Sequence, residues 1–127
     1  MFSFPKKEKL KSKKLFEKLF AEGKSISNYP VKLLYLKSEL PTSVKFQVGV
    51  AVPKKNFKSA VDRNRIKRLL REAYRLNKHL VLNNSEGGFA FLFLYLGKEL
   101  PTYVAVEKNV QTLLKKFIKN TDDTKIL

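Results

Sequence analysis

The stretch Val44-Lys45-Phe46-Gln47-Val48-Gly49-Val50-Ala51-Val52-Pro53-Lys54-Lys55-Asn56 changes character twice, and those changes organise the middle of the chain. Its first half alternates apolar and polar side chains, as a strand with one buried face does, and Val48 to Val52 is then wholly apolar. Pro53 cannot donate to a sheet ladder and closes the strand. From Ser59 the period changes. Ile66, Leu69, Leu70, Ala73, Leu76 and Leu80 recur at spacings that place them on one arc, which predicts a helix from about Ser59 to Leu82 lying on a sheet. After the turn residues Asn83-Asn84-Ser85-Glu86-Gly87-Gly88 comes Phe89-Ala90-Phe91-Leu92-Phe93-Leu94-Tyr95-Leu96, apolar on both strand faces. Such a strand belongs inside a sheet. A strand, a long helix and a buried strand in succession read as a crossover unit.

Working outward, Ser12 precedes Lys13 to Ala21, with apolar residues at 15, 16, 19 and 20 and Gly23 as the stop, which predicts a short amphipathic helix. Val31 to Leu36 reads as a strand paired with Val44 to Val52 in a hairpin across Pro41-Thr42-Ser43, and Tyr29 to Val52 has room for one strand more. Pro101-Thr102 opens a last helix to about Asn120, with Val106, Val110, Leu113, Leu114 and Phe117 on one side; Thr121 to Leu127 carries no clear pattern. The order α-β-β-(β)-α-β-α makes the fold class α+β, with helices packed on a sheet.

The 127 residues, 43% of them hydrophobic, suffice for a single domain, 1–127, ordered over about 5–120. The absence of cysteine excludes disulfides, thiolate zinc sites and Fe–S clusters, and one histidine, His79, excludes a histidine cluster. The longest apolar run is far shorter than a membrane span, and Met1 to Lys7 puts its aromatics before its lysines, the wrong order for a secretory signal. A cytoplasmic location is expected. No paired carboxylates in an apolar setting and no Gly-rich phosphate loop suggest catalysis or a small-molecule substrate.

Twenty-seven Lys and Arg face eleven acids, a formal charge of +16, and a polyanionic partner is the expected cause. The charge is uneven: residues 53–78 carry ten basic and two acidic side chains, whereas 79–127 carry six and five. On the long helix Arg63, Lys67, Lys78, Arg71, Asn64, Arg75 and Arg68 share one acid-free arc, and Arg65 and Glu72 fall on the far border of the apolar stripe. Only Asp62 and Glu72 could pair them along the helix. Lys54-Lys55-Asn56 lead into the same helix, so loop and helix converge on one basic patch. Arginine forks and amides suit phosphate oxygens and base edges, which is recognition chemistry.

The run Gly49-x-x-x-x-Lys54-Lys55 followed by Arg63-Asn64-Arg65-x-Lys67-Arg68-x-x-Arg71-Glu72 closely resembles the bacterial ribonuclease P protein family. The resemblance extends back to Leu10, Phe16 and Phe20 and forward, in pattern, to the last helix. It implies a two-layer α/β sandwich with a mixed four-stranded sheet, like domain 2 of ribosomal protein S5, and a left-handed βαβ crossover. It implies a subunit of an endoribonuclease that removes the 5′ leader of precursor tRNA, with catalysis carried by a partner RNA and its magnesium ions, and no cofactor held by the protein alone. The implied surface for that RNA comprises Lys54, Lys55, Arg63, Asn64, Arg65, Lys67, Arg68 and Arg71, with Asn56, Lys58 and Arg75 at its margins. Phe16 and Phe20 match the family's leader cleft, and Tyr35 is a further candidate for it. A stacking platform beside a cationic groove suits a single strand held without base readout. The competing readings are a ribosomal-type RNA-binding protein, a basic helix on anionic lipid, whose apolar face would have to be free, and a duplex-DNA reader.

Overall fold

The computed structural model describes residues 6–40 and 44–126; residues 1–5, Leu127 and Pro41-Thr42-Ser43, where a hairpin turn is expected, lie outside the described residues. A 3₁₀ turn, Lys6–Glu8, precedes α1 (Lys13–Glu22), β1 (Lys24–Asn28), β2 (Val31–Lys37), β3 (Phe46–Ala51), α2 (Ala60–Asn77), α3 (His79–Leu82), β4 (Phe89–Tyr95) and α4 (Tyr103–Ile126). The four strands form one mixed sheet in the order β1-β2-β4-β3. β4 runs antiparallel to β2 and parallel to β3. The expected interior strand is interior.

The pairing of the first strands departs from expectation. β2 does not form a hairpin with β3, because β4 lies between them; its true hairpin partner is β1, joined through the turn at Tyr29-Pro30. A strand apolar on both faces gains most from two neighbours and two covered faces, so β4 takes the centre. The extra strand lies ahead of Tyr29. Lys24-Ser25-Ile26-Ser27-Asn28 buries only Ile26, and a polar edge strand gives little alternation to read.

The two faces of the sheet carry separate cores. Leu33, Tyr35, Phe46, Val48, Phe91 and Phe93 pack beneath α2 and α4 with Ile66, Leu70, Tyr74, Leu113 and Phe117. On the other face Leu34, Ala90 and Leu92 meet Leu10, Leu19 and Phe16 of the N-terminal region, so α1 adds a partial third layer. The five α4 residues expected on one side are all fully buried. Phe117 is the hub of that side, with ring contacts to Tyr35, Phe46, Phe89 and Phe91 at centroid distances of 4.8 to 6.1 Å.

The helix ends follow local chemistry. Ser12 caps α1 by accepting from the Leu15 N–H at 3.2 Å, and Ser59 accepts from the Asp62 N–H at 3.4 Å. Gly23 does end α1, though with φ −66° rather than a left-handed turn; a Cβ there would stand 2.4 Å from the Leu19 carbonyl oxygen. The long helix expected to reach Leu82 is interrupted at Lys78. α4 continues to Ile126, beyond the Asn120 at which the apolar pattern ends.

The buried face of α2 is displaced from the predicted stripe. Tyr74, absent from that stripe, is buried, as are Asn77 and Lys78. Asn77 donates to the Ala73 carbonyl at 2.8 Å and to Glu107 at 3.2 Å and accepts from Gln111 at 2.9 Å, which satisfies its amide against α4. Burial, and then the nearby Glu8 carboxylate, push the Tyr74 phenol above its ordinary range.

Two outcomes are expected. Phe117→Ala should cost about 3–5 kcal/mol in chemical denaturation, as truncation of a buried aromatic does. Because folded Tyr74 holds its proton more tightly than the unfolded chain, stability should fall as pH rises past about 10. A melting series in alkaline buffers should show a shallower decline for Tyr74→Phe than for the unaltered chain, and parallel declines would contradict the assignment.

Candidate nucleic-acid interface

β3 is an edge strand, and what lies along its edge makes the site. Residues just before α1 run beside it: the Leu10 N–H donates to the Val48 carbonyl at 3.0 Å, and Lys9 bridges Val48 in parallel. Gln47 donates to the Lys7 carbonyl at 3.1 Å, and Lys78 donates to Glu8 at 2.9 Å, so this N-terminal strap is tied to both β3 and the end of α2.

Between strap, strand and helix lies a groove of about 340 Å³. Lys9, Leu10, Lys11 and Phe16 form one wall, Val48-Gly49-Val50 the floor, and Arg71 the opposite side. Gly49 is matched to its neighbour, since a Cβ there would stand 3.1 Å from the tip of the Phe16 ring. Phe16 is half-buried and faces the groove, whereas Phe20, one turn further along α1, is 62% exposed and outside its lining. Tyr35 is elsewhere. Its register with Phe91 puts it on the opposite face of the sheet, where it is buried 5.1 Å from the Phe117 ring and borders a second cavity of about 400 Å³. The β2 residues that meet the α1 side are Leu34 and Leu36. One step of strand register separates the two faces, and the apolar run of β2 left that step open.

The basic residues divide by what they touch. Arg63 donates through Nη1 to the carbonyls of Phe57 and Lys58 at 2.8 and 2.9 Å, pinning the loop that precedes α2. Asn56 donates to the Leu96 carbonyl at 3.3 Å and ties that loop to the end of β4. Arg75 forms a two-pronged ion pair with Glu72, and the guanidinium holds the Glu72 carboxyl below its ordinary range. Lys78, assigned above to the cationic arc, is buried against Glu8. Lys54, Lys55, Lys58, Asn64, Arg65, Arg68 and Arg71 are exposed and Lys67 is half-exposed. None of the last group's cations forms an ion pair with a described acid. Lys9 and Lys11 belong beside them although the sequence reading gave them no role; the excess of lysine ahead of the first helix was the available signal. No group of three or more His, Cys, Asp or Glu side chains among the described residues could hold a metal ion, and no described helix is long and apolar enough to cross a membrane.

The groove that holds Phe16 thus adjoins a helix face whose outward arginines pair with no described acid. A family model described as Ribonuclease P matches residues 4–118. The chain belongs to the ribonuclease P protein family. Its curated relatives include the ribonuclease P protein component of Porphyromonas gingivalis, 37% identical over 122 residues and covering 94% of this chain and 89% of that one. The protein component of Chlorobium phaeobacteroides is 35% identical over 125 residues, covering 88% and 86% respectively. Among solved structures, the RNase P protein of Thermotoga maritima superposes with a TM-score of 0.70 at 28% identity, over 86% of this chain and 96% of that one. The α+β fold with a mixed four-stranded sheet is thus a ribonuclease P protein fold.

In this family member the strap is part of the groove wall, so its anchor is testable. Glu8→Gln should lower stability by about 1–3 kcal/mol, because it removes the carboxylate from a largely buried charge-assisted bond. Hydrogen exchange of the Leu10 amide, bonded to β3, should accelerate with it, and unchanged protection would show that Glu8 does not hold the strap.

Proposed function

We propose that this chain is the protein subunit of a ribonuclease P ribonucleoprotein, which docks on a catalytic RNA and holds the single-stranded 5′ leader of precursor tRNA while that RNA cleaves it. The observation that carries the reading is the junction at Arg71. This residue belongs at once to the exposed cationic face of α2 and to the wall of the groove that contains Phe16. A phosphate-tracking surface and a stacking groove therefore meet at one side chain, as a protein bridging a structured RNA and a flexible strand requires.

Within this reading Lys54, Lys55, Lys58, Asn64, Arg65, Lys67, Arg68 and Arg71 contact the catalytic RNA, while Arg63, Asn56 and Arg75 shape the surface from within. Phe16 and Phe20, with Lys9 and Lys11, serve the leader. The protein supplies binding, and magnesium acts with the RNA. The location is cytoplasmic.

The test is reconstitution. The purified chain added to a bacterial ribonuclease P RNA should stimulate 5′ cleavage of precursor tRNA at low magnesium and cleave nothing alone. Arg65→Ala and Arg68→Ala should each weaken docking on the RNA by roughly 1–3 kcal/mol and flatten its salt dependence. Phe20→Ala, a surface change, should weaken binding of precursors with a leader and leave docking nearly intact. Identical defects from both classes would refute two surfaces, and tight RNA binding without stimulation would point instead to a ribosomal-type partner.

A further inference from the structure

Tyr29 is an exposed aromatic ring outside the groove. It sits at the tip of the β1–β2 hairpin with 74% of its surface exposed, and Leu96 and Leu100 on the loop after β4 are 36% and 46% exposed. The tip is held firmly. The Leu96 N–H donates to the Pro30 carbonyl at 2.7 Å, and the Leu96 carbonyl accepts from Asn56 at 3.3 Å. Three loops are thereby joined at one end of the sheet: the hairpin tip, the loop carrying Lys54 and Lys55, and the loop carrying Lys98. The Phe57 ring lies 6.0 Å from Tyr95, whose hydroxyl donates to the Glu99 carbonyl at 2.7 Å and braces the third loop. Asn28, next to Tyr29, donates to Asn109 of α4 at 3.1 Å.

We infer that Tyr29 is a stacking platform for an unpaired nucleotide of the RNA that docks on the Lys54–Lys55 loop. The inference rests on the docking reading above and extends that surface from α2 to the hairpin tip. A ring on a braced turn loses little conformational freedom on binding, and exposed Lys54, Lys55 and Lys98 on the joined loops suit the flanking phosphates. The other way to cover the patch is a second copy of the chain. That would bring two sets of these lysines together at charge +16 per copy, which opposes the contact.

The experiment uses the full chain and ribonuclease P RNA without precursor, with dissociation constants measured across a salt series. Tyr29→Ala should bind about 5- to 150-fold more weakly, the range of one base–aromatic stack, and Tyr29→Phe should stay within about threefold of the unaltered chain. A stack releases no counterions, so Tyr29→Ala should keep the salt slope that Arg68→Ala reduces. If Arg68→Ala weakens binding and Tyr29→Ala does not, the inference falls and the docking reading stands. If neither does, the docking reading fails as well. A Tyr29→Ala loss confined to precursor tRNA, or a loss of self-association in sedimentation with RNA affinity intact, would also overturn it.

Discussion

The constraint on which the rest depends is that β4 must be covered on both faces. Phe91 and Phe93 point one way and Ala90 and Leu92 the other, and none of the four retains contact with water. One face is closed by α2 and α4, the other by α1 and the strap. Because α2 connects β3 to β4, covering the first face also carries the arginine helix across the sheet. Because α1 covers only part of the second face, the strap lies along the edge of β3 and Val48 to Val50 become the floor of the groove beside it. Burial of one strand thus places both surfaces. Neither needs a device of its own.

The sequence was legible where a pattern had one physical cause. The interior position of β4, the apolar face of α4 and the cap at Ser12 each rest on a single local requirement, and each is met. The pairing of β2 with β3 was not legible, because hairpin formation between neighbours in sequence competes with the gain from centring β4, and the second effect is tertiary. Tyr35 shows the same limit at the scale of one residue. Leu33, Leu34, Tyr35 and Leu36 form an unbroken apolar run that fits either face, and only pairing with β4 sets the register.

The basic motif shows a further limit, since sequence spacing reports charge but not what a charge touches. Arg63 and Arg75 stand within the same arc as Arg68 and Arg71, yet Arg63 gives its Nη1 to two loop carbonyls and Arg75 pairs with Glu72. An internal arginine fork fixes the loop and helix surface; an outward one is free to meet phosphate. Replacement by lysine would affect the two kinds differently, because a point charge can meet phosphate but cannot reproduce the two-pronged pair that Arg75 makes with Glu72.

The groups whose titration is perturbed lie apart from the groove. Enzyme sites concentrate shifted side chains where the substrate lies. Here Tyr74, Tyr95 and Tyr103 are raised chiefly by burial and Glu72 is lowered by its neighbour Arg75, and none of these four lines the groove. The groove itself offers ammonium groups, a guanidinium, an aromatic ring and a glycine floor. Those groups can hold a phosphodiester strand without transferring a proton to or from it. In the function proposed above, such a surface contributes position and charge neutralisation to a polyanionic strand.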